Sequence, residues 1–389
     1  MLDSSPKELY LLRSKTIING ESMNPLPTQF EHMLEPLLAE LGDFQVSSVA
    51  SGSGVQGGVR VAGPYGLDFS IEVKEFKRIT PASAESACLT VKRQAEATGS
   101  QPVLFASVVS DRTAEIATKH GVSWMDYAGN CRLVFPSYGI YVNRRGIENQ
   151  FGKQLPKVLN VFSAKSSRVV RAMLQEPLRE WQLNELASHP NVRVSPGLMS
   201  RVKQTLVEGG YAVMHKRQLR LKRPDDLLDD WVKDYRTNKP REYAFYMRGE
   251  LEQIEQQVAN WCSKFTKQFA LSRFSAAWRL APEVRYGVAS FMVSTEAILA
   301  ESLIDLRSNF GARKVDSGAN LILHVPDDEC TFNNLLGEKI SITSPLQTYL
   351  DLRTMDGRGD EAALAIYEKY LKEQFEEATE RMVEQHEGN

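Results

Sequence analysis

The chain predicts a multidomain α/β protein, with two mixed α/β regions on either side of a short, strongly basic segment. Three observations carry that expectation. Helix-period and strand-period apolar patterns alternate over residues 28–150 and again over 241–372. Composition shifts near residue 150 and a breaker cluster at Asn238-Lys239-Pro240 separate these stretches. Charge is also unevenly spread: residues 155–224 hold thirteen Lys and Arg against four Glu, a net +9, leaving −11 for the rest of a chain whose formal charge is −2. A length of 389 residues calls for two or three domains of about 100–200 residues each.

Residues 1–27 are polar and end on Asn24-Pro25-Leu26-Pro27, and they read as an N-terminal extension. A helix near 29–41 follows, with Phe30, Met33, Leu34, Leu37, Leu38 and Leu41 on one face and Gly42 at its end. Strand patterns then run through FQVSSVAS, GVRVAG and LDFSIEVKEF, the last two joined by a Pro64-Tyr65-Gly66 turn. Next come a helix from Ala82 to Ala97, the apolar strand PVLFASVV and a helix over 111–120. Strand signals in VSWMDYA, CRLVF and GIYVNRR complete an α/β domain over 28–150.

In the basic segment, Ser163 is placed to cap a helix that buries Val169, Val170, Met173 and Leu174. A second helix, WQLNELASH, stops at Pro190. Ser195 and Pro196 then give an N-cap followed by proline at the first helical position, the start of PGLMSRVKQTLVEGG. That helix has Leu198, Val202 and Leu206 inward, and Gly209-Gly210 ends it. The run YAVMHKRQLRLKR alternates around the polar tip His215-Lys216-Arg217-Gln218, which is a hairpin pattern. Three short helices followed by a basic hairpin is the order of a winged helix, expected over 155–224. Its third helix suits the major groove of DNA.

Opposite the apolar face of that helix stand Ser200, Arg201, Lys203 and Gln204. Arg and Gln match the edges of guanine and adenine, and Lys and Ser reach bases or phosphates. Lys216 and Arg217 at the hairpin tip are expected on phosphate, and Lys165, Arg193, Ser195 and Arg220 complete the expected contact set. Winged helices also bind proteins, so double-stranded DNA is chosen over a protein ligand on the charge of the segment.

After Pro224 the sequence turns acidic in the helical run DDLLDDWVKDYR. The region 241–372 opens with the helical GELEQIEQQVANWCSKF and continues as mixed α/β, and 373–389 reads as a charged helical tail. The N-terminus has no apolar leader, and no stretch approaches the roughly 20 apolar residues of a membrane span. Cys88, Cys131, Cys262 and Cys330 form no CxxC pair. A reducing cytoplasm is the expected setting, with neither zinc site nor disulfide framework. The six histidines have no HxH or HExxH spacing, GSGVQGG lacks the Lys-Ser/Thr of a phosphate-binding loop, and no G-x-S-x-G elbow occurs.

Glu72-Val73-Lys74 is the E-x-K half of a metal-dependent nuclease signature, in which strand carboxylates hold Mg²⁺ and the lysine activates water. The order of helices and strands around it resembles the restriction-endonuclease-like core. Asp68 shares the face of Glu72 and Lys74 but lies four residues, about 13 Å, from Glu72, too far for one metal ion. Residues 44–67 contain no Asp or Glu, leaving Glu35 or Glu40 of the first helix as substitutes. The expectation is a degenerate domain with no metal; Mg²⁺, with Glu72 and Lys74 as catalytic residues, belongs only to the nuclease alternative.

GVSWMDYAGNCRLVFPSYGIYVNRRG carries a D-x-A-G-N segment, and Gln347, Tyr349, Asp351, Leu352, Arg358, Gly359, Glu361 and Ala362 form a Q-x-Y-x-D-L run followed by an R-G-x-E-A helix. These stretches, with FALSRFSAAWRLAPEVRYGVASFMV, resemble AbiEi-type proteins over most of 100–370. The resemblance implies an autoregulating DNA-binding antitoxin of a type IV toxin–antitoxin system, encoded beside a nucleotidyltransferase-like toxin. The best-known members of that family carry their winged helix at the N-terminus, whereas here an E-x-K domain precedes it. As residues, Asp126, Asn130 and Asp351 equally suit turns and caps.

The leading expectation is therefore a DNA-binding transcriptional regulator with antitoxin activity, in a phage-defence or mobile-element setting, and able to form homo-oligomers. The alternatives are a Mg²⁺-dependent nuclease delivered by its winged helix, and an interaction scaffold.

Overall fold

The run Pro102-Val103-Leu104-Phe105-Ala106 lacks polar alternation, as a strand buried on both faces requires. In the computed structural model it lies at the centre of a seven-stranded sheet. The structure describes residues 26–49, 58–76, 79–149, 159–238, 240–334 and 340–387. The expected N-terminal extension falls almost wholly outside them. The chain divides into two compact units between residues 157 and 158.

In the first unit, α1 (Leu26–Ala39) precedes β1 (Gln45–Val49), β2 (Gly58–Ala62) and β3 (Asp68–Phe76). Then come α2 (Pro81–Thr98), β4 (Gln101–Ala106), α3 (Asp111–Lys119), β5 (Ser123–Asp126), β6 (Cys131–Phe135) and β7 (Ile140–Arg144). The strands lie side by side in chain order. β1–β2–β3 are antiparallel, β3–β4–β5 parallel, and β5–β6–β7 antiparallel. The two parallel joints are those spanned by α2 and α3, since parallel neighbours need a crossover.

Strand side chains alternate between faces. Val103 and Phe105 pack with Phe30, Leu34 and Leu38 of α1, while Leu104 and Ala106 pack with Cys88 and Val91 of α2 and Ile116 of α3. The result is a sheet with helix on both faces. Thr80 and Ser83 form a reciprocal cap at the start of α2, and Gly99 ends it in the left-handed conformation (φ 67°) that glycine tolerates.

The second unit begins with α4 (Ala164–Gln175), β8 (Trp181–Gln182), α5 (Leu183–Ser188), α6 (Pro196–Glu208), β9 (Ala212–His215), β10 (Gln218–Leu221) and α7 (Pro224–Thr237). It continues with β11 (Arg241–Tyr246), α8 (Leu251–Phe265), β12 (Phe269–Leu271), α9 (Arg273–Leu280), β13 (Ala289–Val293), α10 (Ala300–Phe310), β14 (Arg313–Lys314) and β15 (Leu321–Val325). Three helices close it: α11 (Pro345–Leu352), α12 (Gly359–Tyr370) and α13 (Lys372–Glu387). Its sheets have orders β8-β10-β9 and β12-β13-β15-β11-β14.

The basic stretch and the region after it, which composition separates, pack around one hydrophobic core running from Val161 to Phe375. Two local expectations change. Trp181 and Gln182 pair with Leu219 and Gln218 as a strand instead of opening a helix. Trp181 is wholly buried, with the Arg179 guanidinium 3.8 Å from its ring centre, and that tertiary site overrides the helical pattern. Ser163 stands at the N-cap position of α4, but its hydroxyl donates to the Asn160 carbonyl at 2.8 Å. The charged tail is not wholly solvated: Phe375 and Ala378 of α13 are buried.

Among the described residues no helix is long and apolar enough to cross a membrane. All four cysteines are free thiols, three of them buried.

Candidate nucleic-acid interface

α6 is fixed at its start by the Ser195 hydroxyl, which accepts the Leu198 N–H at 3.2 Å, and by Pro196 in its first turn. Met199, Val202 and Leu206 are its buried residues, and Leu198 is only half-buried. The i, i+4 spacing suggested Leu198 for the core, but the inward row starts one residue later. On the other side Ser200, Arg201 and Gln204 are exposed and Lys203 is half-buried. Gln204 donates to Glu208 at 3.0 Å, one turn along the same helix.

β9, against which α6 packs, pairs with β10 through a two-residue turn in which His215 faces Gln218. Lys216 and Arg217 fill both central positions, are exposed, and have φ of 45° and 70°. A two-residue turn with both φ positive is normally built from Asn-Gly, because a Cβ is disfavoured there. Arg193, exposed in the turn between α5 and α6, is also left-handed (φ 46°). Of the five non-glycine residues with positive φ among the described residues, three are thus cations on or beside this helix and hairpin. Strain of this kind concentrates at functional sites.

Ion pairing sorts the thirteen cations of the segment. Arg168 binds Asp328 at 2.7 Å, Arg179 binds Glu176 at 2.6 Å and also Glu185, and Arg223 lies 3.8 Å from Asp226. Arg220, expected to face DNA, is buried instead. It is held by Glu180 at 3.1 Å and bonded to His215 Nδ1 at 3.3 Å. Arg171 is also buried, 5.0 Å from the Trp231 ring centre, and burial pushes its pKa down. Lys157 lies outside the described residues. Lys165, Arg193, Arg201, Lys203, Lys216, Arg217 and Lys222 have no ion pair among the described residues. These seven are the charges left for an external anion, and Lys222 is one the sequence reading did not select.

The expected nuclease residues of the first unit do not assemble a metal centre. Glu72 on β3 is 5% exposed, and burial raises its pKa while Lys74 opposes the rise. Lys74 is half-buried two residues along the same strand. Asp68 is exposed and bonded to Arg60 at 2.8 Å, Glu40 is paired with Arg144, and Glu35 is exposed on α1. Across the ladder from Glu72, where β2 would supply a second carboxylate, stands Gly58. No group of three or more His, Cys, Asp or Glu suited to a metal ion occurs among the described residues.

The residues of the AbiEi-like motifs do structural work. Asp126 organises the turn after β5, accepting the N–H groups of Ala128 and Asn130 at 2.9 Å and the Asn130 side chain at 3.0 Å. Gly359 packs so tightly that a Cβ there would lie 2.5 Å from the Leu352 carbonyl, and Arg358 clasps Glu361 at 2.8 and 2.9 Å.

Asp351 is no turn residue. It is buried on α11, where Tyr235 of α7 and Gln347 each donate to its Oδ1 at 2.8 Å. His324 Nε2 lies 3.9 Å from its Oδ2, and neither imidazole nitrogen has a hydrogen-bond partner among the described residues. Burial drives the His324 pKa well below its ordinary value, assisted by Arg273, and raises those of Asp351 and Tyr235. Sequence reasoning missed Tyr235, Arg273 and His324. The one available signal was a histidine inside the otherwise apolar strand Leu-Ile-Leu-His-Val.

Residues 220–372 match a family described as transcriptional regulator, AbiEi antitoxin, of type IV toxin–antitoxin systems. The match covers less than half of the chain, takes in the Tyr235–His324–Asp351 cluster, and begins at Arg220, inside β10. No curated protein and no solved structure matches the chain.

Proposed function

We propose that this protein is a DNA-binding transcriptional regulator, acting as the antitoxin of a type IV toxin–antitoxin system and anchored to double-stranded DNA through α6 and the β9–β10 hairpin. In this reading residues 159–223 are a winged helix. α6 enters the major groove, Arg201 and Gln204 face base edges, and Ser200 and Lys203 reach bases or phosphates. Lys216 and Arg217 sit on phosphates, with Lys165, Arg193 and Lys222 adding charge at the margin. The family matched at 220–372 supports a toxin partner, which in this reading is a nucleotidyltransferase-like protein encoded beside it.

One observation carries the DNA reading. The exposed face of α6 and the turn beside it hold cations with no ion pair among the described residues, two of them kept in a backbone conformation their side chains disfavour. The test is binding of the purified protein to its own promoter DNA. Affinity should fall steeply with salt, and the Arg201→Ala, Lys203→Ala double variant should abolish specific binding. A protein with no salt-sensitive affinity for DNA would refute this function.

For the first unit we propose a restriction-endonuclease-like fold that does not cut. The helix, three-stranded meander, helix and parallel strand of α1 to β4 support the fold. Gly58 opposite a buried Glu72 speaks against a cutting centre.

A further inference from the structure

The second unit carries another cationic feature, remote in sequence from the basic segment. A cleft of about 460 Å³ opens where α10 ends and β14 begins, lined by Ile304, Arg307, Ser308, Gly311, Ala312 and Arg313. Ile304, Arg307 and Ser308 stand at i, i+3 and i+4 on one face of α10, which supplies one wall, and Gly311 caps the helix beside them. Arg313 supplies the other from the strand. Both arginines are exposed, and neither has an ion pair among the described residues. Asp305 on the same helix is engaged by Lys264 at 3.5 Å and by Asn309.

Apolar surface adjoins these charges. Ile304 is 60% exposed, and Tyr246, directly across the ladder from Arg313, is 48% exposed. Each arginine alone has a structural explanation. Arg307 in the last turn offsets the negative end of the helix, and Arg313 on a two-residue edge strand discourages edge pairing. Neither explanation calls for a cleft between them or for uncovered Ile304 and Tyr246 beside it.

We infer that this cleft binds a phosphate-bearing ligand of nucleotide size, with Arg307 and Arg313 on the phosphates and Ile304 and Tyr246 against its apolar part. Guanidinium groups suit the task because their planar fork pairs two N–H donors with two phosphate oxygens. The volume is within the range of small-ligand sites. The site is independent of the α6 interface and does not rest on the DNA reading. Its phosphates have two sources, a free nucleotide or a nucleic-acid backbone.

Calorimetric titration of the full chain with ATP, GTP, inorganic phosphate and a short DNA duplex separates these sources. If the ligand is a free nucleotide, ATP or GTP binds, at least about tenfold more weakly in the Arg307→Ala, Arg313→Ala double variant and unchanged in the Arg201→Ala, Lys203→Ala variant. The Arg307→Lys, Arg313→Lys variant, keeping charge but losing the fork, falls between. If the phosphates are those of DNA, nucleotides do not bind, but the Arg307/Arg313 alanine variant weakens duplex binding and lowers its salt slope. No binding of ATP, GTP or phosphate at millimolar concentration, with duplex affinity unchanged in that variant, overturns the inference.

Discussion

Lys216 and Arg217 sit side by side at the two central positions of the β9–β10 turn, both left-handed and both without an ion pair among the described residues. The backbone disfavours this arrangement by about 1–2 kcal/mol per residue relative to glycine. Replacing the pair by Asn-Gly, the sequence such turns prefer, should raise the melting temperature. The same change should weaken DNA binding and lower the slope of log affinity against log salt by about 2, since two phosphate contacts vanish. Thermal melts and a salt titration of the Lys216→Asn, Arg217→Gly variant check both arms. If stability and affinity fall together, the turn is simply structural.

Arg201 and Lys203 on α6 should separate by their effect on sequence preference. Arg201→Ala is expected to cost about 1–3 kcal/mol of binding and to relax preference at one base pair. Lys203→Ala should weaken binding about equally on all sequences if it meets phosphate. Competition assays with single-substituted operators read the difference.

Arg220 should register in stability instead of binding. It is buried against Glu180 and His215, and removing one partner of a largely desolvated pair leaves the other uncompensated. Because Glu180 is 36% exposed, the loss is expected at about 1–3 kcal/mol, below that of a fully buried pair. Denaturant melts of Arg220→Ala should show this, with the salt slope of DNA binding in the folded protein unchanged.

His324 should make the second unit acid-sensitive. Its folded pKa is far below the value near 6.5 of the unfolded chain, so below that pH the unfolded state binds a proton that the native state refuses. Stability is therefore retained above about pH 6.5 and lost as pH falls below it, with a slope approaching at most about 1.4 kcal/mol per pH unit from this residue. Arg273 opposes protonation, while Glu242, across the ladder, and Asp351, 3.9 Å away, favour it. Burial dominates. His324→Gln should flatten the decline in melts taken between pH 7.5 and 5, and an unchanged decline would assign it elsewhere.

Mg²⁺ or Mn²⁺ should not induce cleavage of single- or double-stranded DNA, because Gly58 faces Glu72 where a second carboxylate is needed. Cutting that disappears in Lys74→Ala would show that ligands come from elsewhere.

What the sequence made legible was local. The β strands of the first unit and the start of α6 rest on alternation, on glycine and proline, and on one serine cap, all of which act within a few residues. What it concealed was set by partners distant in the chain. Arg220 looked free because Glu180 lies across a sheet, and Trp181 looked helical because its burial comes from tertiary packing. Asp351 resembled a turn residue because Tyr235, which binds it, is 116 positions away. Periodicity located the face of α6 but not its phase, so Leu198 stood in for Met199.

The continuous core from Val161 to Phe375 bears on where this chain can be divided. The family match starts within a strand whose partners, β8 and β9, precede it in the chain. Cutting the chain at that boundary would leave β10 without both strands it pairs with and would divide the core. Residues 220–372 on their own should therefore fold poorly, since β8, β9 and part of the shared core would be missing.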